Sequence, residues 1–152
     1  MEKKAIFWDS KPFEKLSATE LYAIIRLRNE VFVVEQQCVF QDADNKDQNS
    51  THLMGWLNNE LVAYTRIVPM GLAYPDYISI GRVVNSPSLR GTGLGKILML
   101  KSIETCYQLF GKQPIKIGAQ LYLKNFYGSL GFVVSGKVYD EDGIDHIEMI
   151  LP

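Results

Sequence analysis

Seven consecutive residues past the middle of the chain have the composition of a loop that binds an anion. They are Arg90, Gly91, Thr92, Gly93, Leu94, Gly95 and Lys96. Glycine permits positive φ angles and leaves no side chain over the backbone N–H groups. The first N–H groups of a helix have no partner inside it and, together with the helix dipole, favour a negative charge. A cation at each end adds to this, so the segment has the features of a phosphate cradle.

Two widespread phosphate loops do not fit this spacing. A dinucleotide-binding G-x-G-x-x-G loop would need its third glycine at Lys96, and it would lie in an early β-α-β unit. A Walker loop would need glycine at Arg90 and serine or threonine at Ile97. From these residues alone, a tight glycine-rich turn without a ligand stays open.

The cradle is predicted to connect a strand to a helix. A helix is predicted over 94–110, with Gly111 as its stop, and an earlier helix begins at the capping box of Ser17 and Glu20 and ends near 32–34. A third helix is predicted over 121–130. Strands are predicted over 52–57, 61–68, 77–84, 115–119, 132–139 and 144–151. Gly81 inside a strand pattern indicates a bulge or a close backbone approach. This order indicates a mixed α/β or α+β protein with one central mixed sheet.

Composition excludes several function classes. The chain has 152 residues, which suits a single domain over 1–152, and its net charge is -1. Because there is no basic excess or basic stripe, nucleic-acid binding is not expected. No apolar run is long enough to span a membrane, and the N-terminus has no signal-peptide pattern. The two cysteines do not make a disulfide framework, so we expect the protein to be in a reducing compartment, the cytoplasm.

Two motifs together resemble the signatures of the GNAT superfamily of N-acetyltransferases. Arg90-x-x-Gly93-x-Gly95 resembles its R/Q-x-x-G-x-G/A motif, and residues 125–132, Asn-Phe-Tyr-Gly-Ser-Leu-Gly-Phe, resemble its second hallmark A/N-x-F-Y-x-x-L-G-F. They occur in the expected order, separated by one helix and one strand. Nearly the whole chain is similar to the ElaA subgroup of that superfamily, including the segments 27–36, 40–44, 52–56, 80–83, 117–120 and 139–147.

The resemblance implies a fold, a co-substrate and roles for particular residues. The GNAT fold has a central mixed, mostly antiparallel and twisted sheet of about six to seven strands flanked by helices. Acetyl-CoA would be the acyl donor and an amine of a small molecule or peptide the acceptor, with direct attack in a ternary complex. The strand ending at Val83 and Val84 would pair with the pantetheine arm, the loop 90–96 would hold the pyrophosphate, and Asn125 would contact the coenzyme. Tyr127 would be the general acid.

The general base is left open by the sequence. Many relatives carry a glutamate on the strand before the phosphate loop, but residues 77–84 contain no carboxylate. Glu35, His146 and His52 are the candidates, together with a base that acts through water. Glu35 could instead bind a cationic acceptor or be a solvated charge.

No metal site is predicted. Asp42, Asp44 and Asp47 are spaced somewhat like a calcium loop, but Asp47 stands where glycine is needed and Leu53 where glutamate is needed. Zinc-ligand spacing is also missing. These aspartates are therefore interpreted as a solvated acidic loop that guides a cationic substrate.

Two other functions stay open at this point. The chain could be a non-catalytic acyl-CoA-binding or regulatory domain, or an acyltransferase that uses a longer acyl-CoA. The segment from Arg28 to Phe32 is reminiscent of synthases of the latter kind. The sequence also leaves open whether the protein forms a homodimer.

Overall fold

The computed structural model of the chain describes residues 5–152. Within them, seven strands and three α-helices follow one another in an order close to the predicted one. The strands are β1 (Phe7–Pro12), β2 (Thr51–Leu57), β3 (Glu60–Val68), β4 (Ser79–Asn85), β5 (Ile115–Gln120), β6 (Val133–Glu141) and β7 (Ile144–Leu151). The helices are α1 (Ala18–Arg28), which continues as a π-helical stretch (Asn29–Glu35), α2 (Leu94–Phe110) and α3 (Lys124–Ser129).

The strands form two antiparallel groups that meet along one short parallel contact. The first group has the order β1-β2-β3-β4 and the second the order β5-β7-β6. Ile78 and Ile115 pair in parallel just before β4 and at the start of β5, and Lys116 N–H donates to the Ile78 carbonyl at 3.1 Å. Past this point β4 and β5 part, so the mostly antiparallel mixed sheet expected from the sequence is confirmed, with a gap in its middle.

Local signals in the sequence explain most of the boundaries. Ser17 and Glu20 form the reciprocal capping box, with bonds of 3.0 Å and 2.8 Å between side chain and backbone. The hairpin between β2 and β3 turns at Asn58 and Asn59, whose φ angles of 53° and 65° are those of a type I′ turn. The hairpin between β6 and β7 turns in the same way at residues 142–143.

Strand β1 was not predicted, and the third helix is shorter than predicted. Residues 7–12 have no clear apolar alternation, and their order comes from pairing with β2, from Phe7 opposite Trp56 to Pro12 opposite Thr51. Proline is tolerated there because β1 is an edge strand. Residues 121–123 form a 3-10 turn before α3 begins. No helix within residues 5–152 combines the length and the apolar content that crossing a bilayer requires.

The helices cover apolar faces of the two strand groups. The residues of α1 that face inward, Ile24 and Leu27, pack with Met54 and Tyr64 of β2 and β3. Helix α2 bridges both groups, because Leu94 and Leu98 pack against β2 and β3 while Met99 and Cys106 pack in the cluster that contains residues of β5 and β7. The helix after the phosphate loop is therefore fixed to both sides of the gap.

A buried cluster of ion pairs fixes the segment between α1 and β2. Its members are Arg28, Arg66, Arg82, Asp42, Asp44 and Asp47. Arg28 donates to the carboxylates of Asp42 and Asp47 at 2.8 Å each. Arg66 forms a two-bond contact with Asp44 at 2.7 and 2.8 Å. A planar guanidinium suits such fixed, multiple contacts better than an ammonium group.

The interpretation of residues 42–47 as a solvated acidic loop is wrong. Asp42 and Asp47 are only 7% and 8% exposed, since three arginines from α1, β3 and β4 surround the loop. Burial alone would raise the pKa of Asp44, but the hydrogen bonds and charges of Arg66 and Arg82 hold it well below its usual range. The negative charges are therefore balanced internally instead of facing a substrate.

The cluster predicts a large loss of stability when one arginine is removed. Arg28→Met should lower the free energy of unfolding by about 3–5 kcal/mol, because it leaves buried carboxylates with too few partners. Arg26→Met is the matched control, since Arg26 has a 63% exposed side chain and one pair with Glu30 at 3.4 Å. It should cost at most about 0.5 kcal/mol. Urea unfolding measures both, and equal losses would contradict a stabilising role for the cluster.

Candidate functional site

A cleft of about 850 Å³ opens where β4 and β5 part. Its walls come from these two strands, from the segment 36–46 held by the ion-pair cluster, from the loop before β4, and from one face of β6 and β7. On β7, Ile147 and Met149 point into the core while His146 and Glu148 line the cleft. Because successive side chains of a strand point to opposite faces of the sheet, the polar residues of β7 lie on the cleft side and the apolar ones in the core.

Strand β4 carries a bulge next to Gly81, where the sequence predicted one. The register with β3 shifts between Gly81 and Val84, so Arg82 and Val83 lie opposite a single residue of β3. Arg82 has a φ angle of 49°, which is uncommon for a residue other than glycine. Its guanidinium is fixed by Asp42 at 2.9 Å. The bulge leaves backbone N–H groups of β4 outside the regular ladder, on a strand that lines the cleft.

The glycine-rich loop lies at the mouth of the cleft and leads into α2. Gly91 and Gly93 have φ angles of 78° and 83°, a region in which side chains are strained, and Gly93 is the residue before the helix. The Thr92 hydroxyl donates to the Leu89 carbonyl at 2.6 Å and closes the turn. The first N–H groups of α2 are thereby left free for an anion.

The predicted donor-binding residues occupy four kinds of position. Those that line the cleft are Val83, Val84, Arg90 and Gly95. Those exposed around its mouth are Gly91, Thr92, Gly93 and Lys96. The side chain of Leu94 is buried in the core, so only its backbone is available. Asn125 is exposed on α3 outside the cleft lining. Gln120 at the end of β5 lines the cleft but was not predicted as a site residue, although it lies in the segment 117–120 that is similar to the ElaA subgroup.

Glu35 is paired with the arginine of the phosphate loop. The Arg90 guanidinium donates to both of its carboxylate oxygens, one of them at 2.9 Å. The hydrogen bond from Arg90 lowers the pKa of Glu35, so this carboxylate has little tendency to accept a proton. Glu35 is exposed and lies outside the cleft lining. Its contact therefore orients Arg90 and links the end of the π-helical stretch to the loop.

Tyr127 lines the cleft from α3. It is 5% exposed and packs edge-on against Phe126 and Phe132, with ring centroids 5.1 Å and 5.9 Å away. Burial, with a smaller effect of Tyr122, raises the pKa of Tyr127 to about 12. The hydroxyl therefore stays protonated across the physiological range and can act as a hydrogen-bond donor.

The two histidines have different surroundings. His146 lines the cleft, and its Nδ1–H donates to the Ile144 carbonyl at 2.7 Å, which leaves the Nε2 lone pair free in the neutral ring. Glu141 Oε2 lies 3.3 Å from Nε2. His52 is fully buried, donates from Nε2 to the Asp47 carbonyl at 2.9 Å and accepts from the Tyr64 hydroxyl at 2.7 Å.

His52 is therefore poorly placed to be a base. Both of its ring nitrogens have partners, and burial lowers the pKa of the ring. Among the histidines, only His146 combines a free nitrogen with a position in the cleft wall.

Gly118 of β5 lines the cleft. Two tyrosine hydroxyls lie against this glycine: a Cβ there would stand 2.5 Å from the Tyr139 oxygen and 3.2 Å from the Tyr74 oxygen. The ring of Tyr139 lies beside His146, with 5.7 Å between ring centroids. A glycine at this position is thus required by the two tyrosines that meet above it.

Comparisons with known proteins agree with this architecture. Residues 18–152 match the family model of the acetyltransferase (GNAT) domain. The chain is 45% identical to the protein ElaA of Escherichia coli over 146 residues, 95% of each chain. The crystal structure of E. coli ElaA is similar with a TM-score of 0.90 at 44% identity, covering 97% of this chain and 99% of that one.

Two further solved structures are similar over almost the whole chain. An acyl-CoA N-acyltransferase from Pseudomonas aeruginosa has a TM-score of 0.92 at 39% identity and covers 97% of this chain and 100% of its own. The CoA-dependent acyl-homoserine lactone synthase BjaI has a TM-score of 0.76 at 18% identity, over 99% of this chain and 84% of its own, which is a likeness of fold alone.

The crowding at Gly118 predicts a site-specific cost for one added methyl group. Gly118→Ala should lower the free energy of unfolding by about 1–3 kcal/mol, because Tyr139 and Tyr74 must shift to admit the Cβ. Gly81→Ala is the matched control: it lies on the neighbouring β4, and nothing stands within 4 Å of its added Cβ. Urea unfolding of both variants checks this, and a Gly118→Ala protein as stable as the control would refute the close contact.

Proposed function

The chain belongs to the GNAT acetyltransferase family, and we propose that it transfers an acetyl group from acetyl-CoA to an amine of a small molecule or peptide. It is an acyltransferase by family and fold. The observation that carries the proposal is a single cleft with the glycine loop at its mouth, the β4 bulge in one wall and Tyr127 and His146 in the others. Direct attack of the amine on the donor fits such a shared cleft.

The donor half of the cleft fits acetyl-CoA, which supplies an acetyl group activated as a thioester. The N–H groups of residues 93–96, with Arg90 and Lys96, would hold the pyrophosphate by hydrogen bonds and charge. The backbone of Val83 and Val84, on the strand that lines the cleft, would pair with the amides of the pantetheine arm. A backbone N–H at the bulge, from Val83 or its neighbour, would polarise the thioester carbonyl.

Tyr127 would act at the sulfur that leaves. A pKa of about 12 keeps its hydroxyl protonated, as a donor requires. Complete transfer to a thiolate is uphill, because a thiol has a pKa of about 8.5. The contribution we assign to Tyr127 is therefore a hydrogen bond to the sulfur, which strengthens as negative charge develops there.

His146 would take the proton of the acceptor amine. A primary amine with a pKa near 10 is mostly protonated at neutral pH, so a base must deprotonate it before attack. The Nε2 lone pair of His146 has no hydrogen-bond donor in the neutral ring, and the Glu141 carboxylate lies 3.3 Å from this nitrogen. A water molecule could relay the proton between the amine and this nitrogen. Glu35 is better suited to orienting Arg90.

Transfer of a longer acyl group is the second candidate. The cleft has a volume of about 850 Å³, and the similar structures include an acyl-CoA N-acyltransferase and a synthase bound to isopentyl-CoA. Comparing acetyl-CoA with longer acyl-CoAs in one assay separates the two. Turnover with any acyl donor would exclude a purely regulatory, non-catalytic role.

We also propose that the chain acts as a single domain in the cytoplasm. The family match extends over 18–152. Cys38 and Cys106 are both free and buried, which suits a reducing compartment.

The first test of the proposal is equilibrium binding of acetyl-CoA. Wild-type protein should bind acetyl-CoA in a calorimetric titration, and Lys96→Glu should weaken binding at least about tenfold, because a charge-assisted bond to phosphate becomes a repulsion. A glutamate in the first turn of α2 does not harm the helix. Lys112→Glu, just beyond the other end of α2, should leave the affinity unchanged. If wild type binds no acyl-CoA, the proposal fails.

The second test separates the acid from the base by pH. With a good amine acceptor, Tyr127→Phe and His146→Gln should each lower kcat/KM by roughly 10²-fold near pH 7. The deficit of His146→Gln should shrink as the pH approaches about 10, where the amine loses its own proton. The deficit of Tyr127→Phe should stay constant over that range, since the pKa of Tyr127 is about 12. A pH-independent deficit in His146→Gln would instead indicate a structural role.

A further inference from the structure

The part of the cleft that would hold the amine substrate is called the acceptor half. In it, side chains that can accept hydrogen bonds surround Gly118. Tyr74 from the loop before β4 and Tyr139 from β6 meet above this glycine. Glu148 of β7 is directly opposite Gly118 in the register, and a Cβ on Gly136 of β6 would stand 3.3 Å from its carboxylate. Glu148 therefore lies in a notch between two glycines of the flanking strands, with two phenol oxygens beside it.

These groups share one electrostatic environment. Burial is the main cause that raises the pKa of both Tyr139 and Tyr74. The charges of Glu141 and Glu148 raise both pKa values further. The phenols therefore remain neutral, and their oxygens can accept hydrogen bonds while the carboxylates carry the charge. Such a set suits a ligand that is rich in N–H donors.

The protein already places one ammonium group at the edge of this set. Lys116 Nζ lies 3.1 Å from Glu148 Oε2, and it stands over the rings of Tyr74 and Tyr77 at 4.9 Å and 5.4 Å. This is the geometry of ammonium recognition by a carboxylate and aromatic faces. Lys116 Nζ approaches Glu148 at Oε2, so a second cation would approach this carboxylate through Oε1.

The opposite wall offers little to a ligand carboxylate. Arg66 and Arg82 line it, but their charges are balanced by the aspartates of the buried cluster. Lys46 is the remaining cation on that wall, while Glu141 and Asp142 line the cleft on the other side, together with Glu148, whose charge is partly balanced by Lys116. A zwitterionic amino acid would therefore bring its carboxylate towards an excess of negative charge.

We propose that the acceptor carries a second cationic group, an ammonium or guanidinium, besides the amine that is acylated, and that Glu148, Tyr74 and Tyr139 bind it. This rests on the proposed function, in which the reacting amine lies at His146. His146 and Glu148 are alternate residues of β7, so they stand roughly 6–7 Å apart along the strand. A short alkyl diamine spans that distance.

Three ligands of equal chain length test the charge of the distal group. Cadaverine has a second ammonium, pentylamine has none, and 5-aminopentanoate has a carboxylate in its place. Their equilibrium binding to the protein saturated with CoA is measured by calorimetry or by NMR titration. Cadaverine should bind at least about tenfold more tightly than pentylamine, as expected for one charge-assisted hydrogen bond, and 5-aminopentanoate should bind most weakly.

Matched variants locate the effect. Glu148→Gln should remove the preference for cadaverine over pentylamine, and Tyr139→Phe should reduce it. Glu60→Gln, an exposed residue at the β2–β3 turn, should keep the full preference. Thermal unfolding of each variant confirms that it is folded.

The outcomes distinguish this inference from the proposed function. Equal binding of cadaverine and pentylamine would contradict the proposal that the amine substrate carries a second cationic group. Tightest binding of 5-aminopentanoate would also contradict it and would indicate that Lys46 binds the carboxylate. Acetyl-CoA binding is measured on the same preparations. If acetyl-CoA does not bind, the proposed function fails. The three ligands are then compared on the protein without CoA, where Glu148, Tyr74 and Tyr139 should still give tighter binding of cadaverine than of pentylamine.

Discussion

The buried cluster of three arginines and three aspartates is the constraint on which the cleft depends. It ties the segment after α1 to β3 and β4, which are distant in sequence. Because the charges balance, burial is tolerated, whereas loss of one partner would leave a buried charge unpaired. The geometry of one guanidinium also fixes the site: Arg82 is part of the cluster and lies in the bulge of β4.

The gap between β4 and β5 leaves backbone groups of the sheet available to a ligand. A continuous sheet would pair all of its backbone groups internally, but here the parallel contact at Ile78 and Ile115 ends where the cleft begins. Backbone N–H groups of the bulge and of the first turn of α2 are therefore left for a ligand. Helix α2 packs on both strand groups and so keeps the gap at a fixed width.

The two halves of the cleft have opposite chemical character. The donor half presents backbone N–H groups and the cations Arg90 and Lys96, which match phosphates. The acceptor half presents carboxylates, phenol oxygens and the free nitrogen of His146, which match ammonium groups. In the proposed function, an anionic donor and a cationic acceptor would be directed to separate ends, and their reacting groups would meet between Tyr127 and the bulge.

Sequence alone determined the features that depend on near neighbours. The capping box at Ser17, the turn at Asn58 and Asn59, the loop that opens α2 and the bulge next to Gly81 all follow from local backbone chemistry. The two family motifs added the class of reaction. Strand β1 escaped prediction because its order comes from pairing with β2.

Only the tertiary structure decided which charges are balanced and which face the cleft. Residues 42–47 read as a solvated loop because their partners Arg66 and Arg82 lie about twenty to forty positions away. The sequence does not distinguish His52 from His146. In the structure, both ring nitrogens of His52 are bonded to Tyr64 and Asp47, whereas His146 keeps one nitrogen without a hydrogen-bond donor in the cleft. The physical reason is that ionisation and access depend on the groups packed around a side chain, and folding brings those from distant parts of the chain.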